Sequence, residues 1–398
     1  MLRRRRLGPP LAVSAALAAL VACAGDVGGA IDAGAGDAAS TDAVVALDAE
    51  PTRDAEPTID AEPAIDAEPV RDAEPARDAE PARDAELTLD AEPARDAELT
   101  LDAEPTLDAA TPDAGGGGPR RIVAVGYGGR RIVSDDLGLT WTDMIEDVPM
   151  GGDDIYLLRC ATYAAGVWVA QGWRTYTSSD GVTWTQRMHG DNWRGGIAYG
   201  NGTFVSVGGV GRASVSSDGL TWRDVGTIAG GHLRGLTFGA PSGGGAGTFV
   251  AIGDGARRIA STDGVTWRGQ TTGGANLQAI AAGNGVFVAV GDGGRITRTV
   301  DGVQWDEQTS GTSTTLESVV FDGARFVASG GGRAITSTDG ITWSSIPANN
   351  VPGSLTHVGG VWLGTRWADG IYRSTDLTQW TRTYRYSANH LRAFAPGP

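Results

Sequence analysis

The chain has 398 residues, with 48 acidic against 32 basic side chains, a net charge of −16 and two cysteines. So few cysteines exclude a disulfide framework, and any folded domain must be held by core packing. The acidic excess argues against nucleic acid as a partner, since a polyanion is bound by lysine and arginine.

In chain order, residues 1–22 carry a basic start, an apolar run and a small-residue end, the pattern of a secretory signal. The apolar run is too short to span a bilayer comfortably. It leads directly into Leu20-Val21-Ala22-Cys23, which resembles the bacterial lipobox. That resemblance implies that Cys23 takes a diacylglyceryl group and begins the mature chain, so the expected location is the bacterial cell envelope, at the outer membrane or cell surface. The other cysteine, Cys160, lies in an apolar strand pattern and reads as a small buried side chain.

Residues 23–118 read as a lipidated start followed by a linker. A hexapeptide of the form D-A-E-[PL]-x-x runs in phase from Asp48 to Asp102. Such a tract has little apolar surface to offset its ordering entropy, and it reads as a disordered acidic spacer. Between 24 and 118 there are 26 acidic residues and 5 arginines, a net of −21, which leaves +5 for the rest of the chain. Four of those five positive charges are Arg3 to Arg6, so the remaining domain is close to neutral. Proline and like charge favour an extended chain at on the order of 3 Å per residue, a reach of up to about 300 Å.

From 119 to 398 the sequence repeats. Tryptophans recur at 141, 184, 222, 267, 305, 343 and 380, each closing a polar turn such as "STDGVTW" (261–267). A period near 40 marks a repeated supersecondary unit. Within 277–305 three β-prone runs, "AIAA", "VFVAV" and "RITRT", are separated by N-G and G-G hairpin turns, and a D-G turn leads to a fourth run. Four antiparallel strands per repeat and no helical periodicity predict an all-β chain, a seven-bladed β-propeller of four-stranded blades. The first repeat supplies only three strands, and "NHLRAFAP" (389–396) resembles the innermost-strand segment "GHLRGLTFG" (231–239). The C-terminal strand is therefore expected to complete blade one and close the ring.

The recurring turn resembles the Asp-box, S-x-D-x-G-x-T-W, and 120–398 is similar to BNR/Asp-box repeat proteins throughout. The resemblance implies a structural role for Asp136, Asp180, Asp218, Asp263, Asp301, Asp339 and Asp376, and for Trp141, Trp184, Trp222, Trp267, Trp305, Trp343 and Trp380. Aspartate would accept turn amides, glycine would permit positive φ, and tryptophan would pack between sheets. The first copy has full spacing; later copies are one residue shorter, and the last has Leu377-Thr378 in place of glycine. Repetition in every blade itself points to structure, because an active site needs different residues converging on one point.

Sialidases share the boxes, but they have six blades and an Arg-Ile-Pro motif, whereas here Arg121-Ile122 is followed by Val123. Xyloglucanase-type hydrolases bind substrate between two propellers. The cadence "G-G-R-I-x-x-S-x-D-G-x-T-W" is closer to the Ycf48-like group, assembly factors rather than enzymes. In six repeats an arginine precedes the box Ser or Thr by four residues, at Arg130, Arg174, Arg212, Arg257, Arg295 and Arg333, and is expected to pair within its own blade.

The less repetitive positions carry the functional reading. On the face opposite the box turns, the inner-strand entries read Arg159, Gly195, Arg234, Gln278, Glu317 and Arg392, flanked by Trp193, Arg194, His232 and His390. Trp173 and Trp367 stand in loops that elsewhere hold glycine. A ring of arginines, amides and aromatics suits a glycan or peptide ligand. No catalytic residue, metal site or cofactor is assigned. The expected function is a lipid-anchored, non-catalytic propeller that binds a protein or glycan, touching membrane only through its anchor; the alternative is an exported glycoside hydrolase.

Overall fold

The computed structural model describes residues 121–148, 154–189, 192–240, 246–386 and 390–398. The signal segment, Cys23 and the hexapeptide linker lie outside the described residues. Within them the chain forms seven four-stranded antiparallel sheets, and no helix is long and apolar enough to cross a membrane. Successive innermost strands contact one another around a complete circuit, giving the seven-bladed ring.

Blade five shows how the sequence dictates a sheet. Its strands are Leu277–Gly283, Val286–Gly291, Ile296–Thr299 and Asp306–Gln308. Asn284 and Gly285 both take positive φ, at 48° and 72°, the twist that a tight hairpin needs. The second strand is buried along its whole length because blades cover both its faces, which explains its unbroken apolar run. The core is accordingly the set of spaces between blades. Val288, Val290 and Ile296 of blade five, for example, pack on Val319, Phe326 and Ala328 of blade six. Cys160 is fully buried in the same way between blades two and three.

The ring closes as the sequence implies. Leu391–Pro396 is the innermost strand of blade one, paired antiparallel with Ile122–Gly126.

Each polar turn joins the two outer strands of a blade and is stitched by its own side chains. In blade four Ser261 Oγ donates to Asp263 Oδ1 at 2.9 Å, and the Gly264 amide donates to Ser261 Oγ at 2.8 Å. The Val265 and Thr266 amides both donate to Asp263 Oδ1 at 2.8 Å. Trp267 Nε1 then donates to the Gly264 carbonyl at 3.0 Å, tying the tryptophan to the turn. The two departures from the pattern have local answers. In the last copy Leu377 itself adopts φ 69° while its side chain is fully buried. In the longer first copy Trp141 Nε1 turns instead to Thr383 Oγ1 of blade seven.

Hydrogen bonds from turn amides hold the carboxyls of Asp180 and Asp376 down to about 2, below the usual range. A depressed carboxyl contributes stability above its unfolded value that is lost as pH falls through the folded one. The turns therefore tighten the propeller at neutral pH and slacken between about pH 4 and 2. Asp263→Ala should cost about 1 kcal/mol, the low end for amides left unpaired, because the turn is exposed to water. A urea melt at pH 7 checks this, and the deficit should shrink as pH falls through the lowered pKa of the Asp263 carboxyl.

Candidate functional site

The inner-strand entries acquire their geometry from β-bulges. Register shifts skip Arg159, Gly195, Arg234 and Gln278 in blades two to five, and another falls at Arg392 in blade one. A bulge leaves one residue out of the ladder and re-aims its side chain, so the same position recurs around the ring's mouth. Glu317 and Gly353 precede the inner strands of blades six and seven, Ser318–Phe321 and Ser354–Val358.

In blades two to five these groups are engaged by one another. The Arg159 guanidinium lies 4.9 Å from the centre of the Trp193 ring, and Trp193 stacks at 5.4 Å on His232. His232 Nδ1 accepts the Val210 amide at 3.0 Å. Arg234 pairs with Asp254, and Gln278 Nε2 donates to Asp292 Oδ1 at 2.7 Å. Two of the sequence-based candidates are buried within their blades: Arg194 is 5% exposed and donates to Ser214 Oγ, and Gln278 is 3% exposed. Trp173 stands half-buried between the second and third strands of blade two, apart from the cavity described next.

A cavity of about 490 Å³ opens between blades six, seven and one, lined by Glu317, Gly353, Arg366, Trp367, His390 and Arg392 among others. It brings together four of the residues singled out from sequence: Glu317, Trp367, His390 and Arg392. Trp367 is 67% exposed at its rim, with its ring centre 3.5 Å from that of His390, and His390 lies 3.9 Å from Tyr127. His390 is 5% exposed, its Nε2 has no hydrogen-bond partner among the described residues, and burial, Arg392 and Arg130 hold its pKa down at about 3. The imidazole is therefore neutral.

Blade seven departs from a rule that the other six obey. In those six, the second strand ends on a glycine seated against the entry to the inner strand; a Cβ on Gly291 would lie 2.0 Å from the Asn276 carbonyl oxygen. Aligning Ser354↔Thr365 of blade seven with Ser318↔Ser329 of blade six places Arg366 where Gly330 stands. Arg366 at that position lines the cavity. Gly353 leaves a gap, and Glu317 extends across it, its Oε2 at 2.3 Å from where a Gly353 Cβ would be.

Burial pushes the Glu317 carboxyl above its usual range, with Arg392 opposing. A raised carboxyl contributes stability that is full below its unfolded value of 4.5 and is lost as pH rises through the folded value. Glu317→Gln should therefore raise the melting temperature at pH 7 and leave it unchanged near pH 3. Equal shifts at both pH values would show that the carboxylate pays no desolvation cost.

Tyr127, Arg366, Asp254 and Asp292 were not singled out from sequence. The signal was the residue after the second strand, which changes from Tyr127 to Gly209, Asp254 and Asp292 within an otherwise constant frame. The arginines ahead of the boxes pair in their own blades in four cases: Arg130 with Glu146, Arg212 with Asp224, Arg295 with Glu307, and Arg174 with Gln186.

No protein-family model and no curated protein matches the chain. Solved structures do. The chain is similar to Ycf48 bound to D1 peptide, at 16% identity and TM-score 0.46, over 60% of this chain and 92% of that one. It is similar to Ycf48 from Cyanidioschyzon merolae, at 17% identity and TM-score 0.42, over 69% and 91%. The computationally designed protein Ika8 is similar at 14% identity and TM-score 0.44, over 69% and 97%.

Proposed function

We propose that this is a lipid-anchored, non-catalytic binding propeller of the bacterial envelope, a member of the Asp-box group, that holds a protein or glycan on the face away from its polar turns. The observation that carries the reading is Trp367, two-thirds exposed at the rim of a cavity on that face. A large exposed aromatic beside a pocket is the usual anchor of a binding site. The glycoside-hydrolase alternative requires two carboxylates about 5–10 Å apart. Among the described residues lining the cavity, Glu317 is the single carboxylate.

The anchor and the face are tested separately. Cys23→Ala should move the protein from the membrane fraction to the soluble exported fraction, because a diacyl anchor supplies two chains where one binds only marginally. Retention in the membrane fraction would remove the lipoprotein claim. For the face, envelope protein fractions and a glycan array are probed with the parent, Trp367→Ala and Asp263→Ala. Loss of at least tenfold in binding for Trp367→Ala alone is expected; loss for Asp263→Ala alone would put the working face on the other side.

A further inference from the structure

We infer that the cavity between blades six, seven and one takes a small zwitterion, its ammonium group on Glu317 and its carboxylate on Arg366. The inference rests on the reading of this face as the binding face and adds a small ligand to it.

The charges of the lining decide first. One carboxylate, Glu317, stands against two guanidinium groups, Arg366 and Arg392, and the His390 imidazole is neutral, so the formal sum is positive by one. Arg392 has an interaction of its own within the protein. Glu317 and Arg366 differ, because neither side chain makes a hydrogen bond or an ion pair with any described residue. The Arg366 guanidinium lies 3.9 Å over the Tyr372 ring. Asp369, which feels its charge, already accepts from Tyr372 Oη and Arg382 Nη1. A charge drawn out of water without a partner is costly, and a ligand that pairs with it relieves that cost. A cation alone would enter a cavity of net positive charge and leave Arg366 unanswered. An anion alone would suit the fork of Arg366 but bring a like charge toward Glu317. A ligand that carries both groups answers both and leaves the sum unchanged.

Backbone register puts the two side chains at the same end of blade seven. Ser354↔Thr365 is the last pair between its first and second strands, and Gly353 and Arg366 come next along the two strands. Glu317 reaches to Gly353 from blade six, since a Cβ there would meet its Oε2. The Glu317 carboxyl feels the charge of Arg392 and not that of Arg366, so the carboxylate and the Arg366 guanidinium share a cavity without meeting. The two charges of the ligand are therefore held apart as well, by a chain of several atoms. His390 Nε2, buried and without a partner among the described residues, belongs to the same lining and gives a polar group in that chain a site to bond. A volume of about 490 Å³ falls in the range of small-molecule sites.

The experiment uses full-length protein in detergent and isothermal titration with ω-amino acids from glycine to ω-aminohexanoate, with glycylglycine, and with hexanoate and hexylamine as single-charge controls. Affinity should rise along the series and exceed either control by about tenfold, the effect of one hydrogen bond to a charged group. Glycylglycine should bind more tightly than ω-aminopentanoate, which has the same number of atoms between its charges but no peptide group for His390. Glu317→Gln should reduce ω-aminohexanoate to the affinity of hexanoate, and Arg366→Gln to that of hexylamine. Gly353→Ala, which displaces the Glu317 carboxylate, should act as Glu317→Gln does, while Arg366→Lys keeps the charge and should retain part of the binding. Melting temperatures matching the parent's or above it verify that the variants are folded. If no zwitterion binds above the controls while envelope proteins or glycans bind in a Trp367-dependent manner, the inference is overturned and the binding face stands. If hexanoate binds as tightly as ω-aminohexanoate, the ligand is a plain anion and the role given to Glu317 falls. If a zwitterion binds equally to the parent and every variant, the cavity is not its site. If neither zwitterions nor macromolecules bind, both readings fall together.

Discussion

A chain ending at Tyr386 is expected not to form the propeller. Removing 387–398 takes away the innermost strand of blade one, where Leu391, Ala393, Phe394 and Ala395 are each no more than 2% exposed. The backbone of Ile122–Gly126 would lose its ladder on one side, and Trp168 Nε1 would lose the Ala395 carbonyl, to which it donates at 3.2 Å across the blade boundary. Burial lost at one phenylalanine alone is worth about 3–5 kcal/mol, and a domain's whole stability is about 5–15 kcal/mol, so a strand's worth of such losses exceeds the margin. Thermal melts followed by circular dichroism should show no cooperative transition. Deletion of 30–112 removes a tract with no apolar pattern and should leave the melt unchanged. Equal effects of the two deletions would mean that the ring closes without its C-terminal strand.

The second large effect separates two glycines that look alike on paper. Gly291→Ala places a methyl group 2.0 Å from the Asn276 carbonyl oxygen and 2.9 Å from Leu277 Cα, which are main-chain atoms of the innermost strand. The same joint is repeated at Gly126, Gly172, Gly208, Gly253 and Gly330, with carbonyl oxygens 1.7–2.2 Å from the added atom. Backbone in a closed ring has no room to retreat, so the cost should reach the upper end of the overpacking range, about 3 kcal/mol. That corresponds to a fall in melting temperature on the order of 5–10 °C. Gly353→Ala meets only the free end of the Glu317 side chain, which can swing aside. Its melting temperature should match the parent's, and any change should be in ligand binding. A melt for Gly291→Ala that matches the parent's would show that the inner-strand entry yields.

What sequence by itself determined is the part of this protein that repeats. Seven tryptophans at near-constant spacing, N-G hairpins and fully apolar second strands each report a local rule, and local rules are written in contiguous residues. The three-stranded first repeat and the strand-like C-terminus even disclosed how the ring closes. The candidate residues were legible only as a list: Glu317, Trp367, His390 and Arg392, which line one cavity, stood beside Arg194 and Gln278, which are buried in their own blades. Only the tertiary structure sorted that list. Which bulged side chains find partners depends on the turn between the second and third strands of the same blade, as with Arg234 on Asp254 and Gln278 on Asp292. The cavity is lined by Glu317, Arg366 and Arg392 from three blades, and residues so far apart in sequence come together only in the tertiary structure. Repetition is a property of the chain, whereas a gap in repetition becomes a site only when three blades are brought around it.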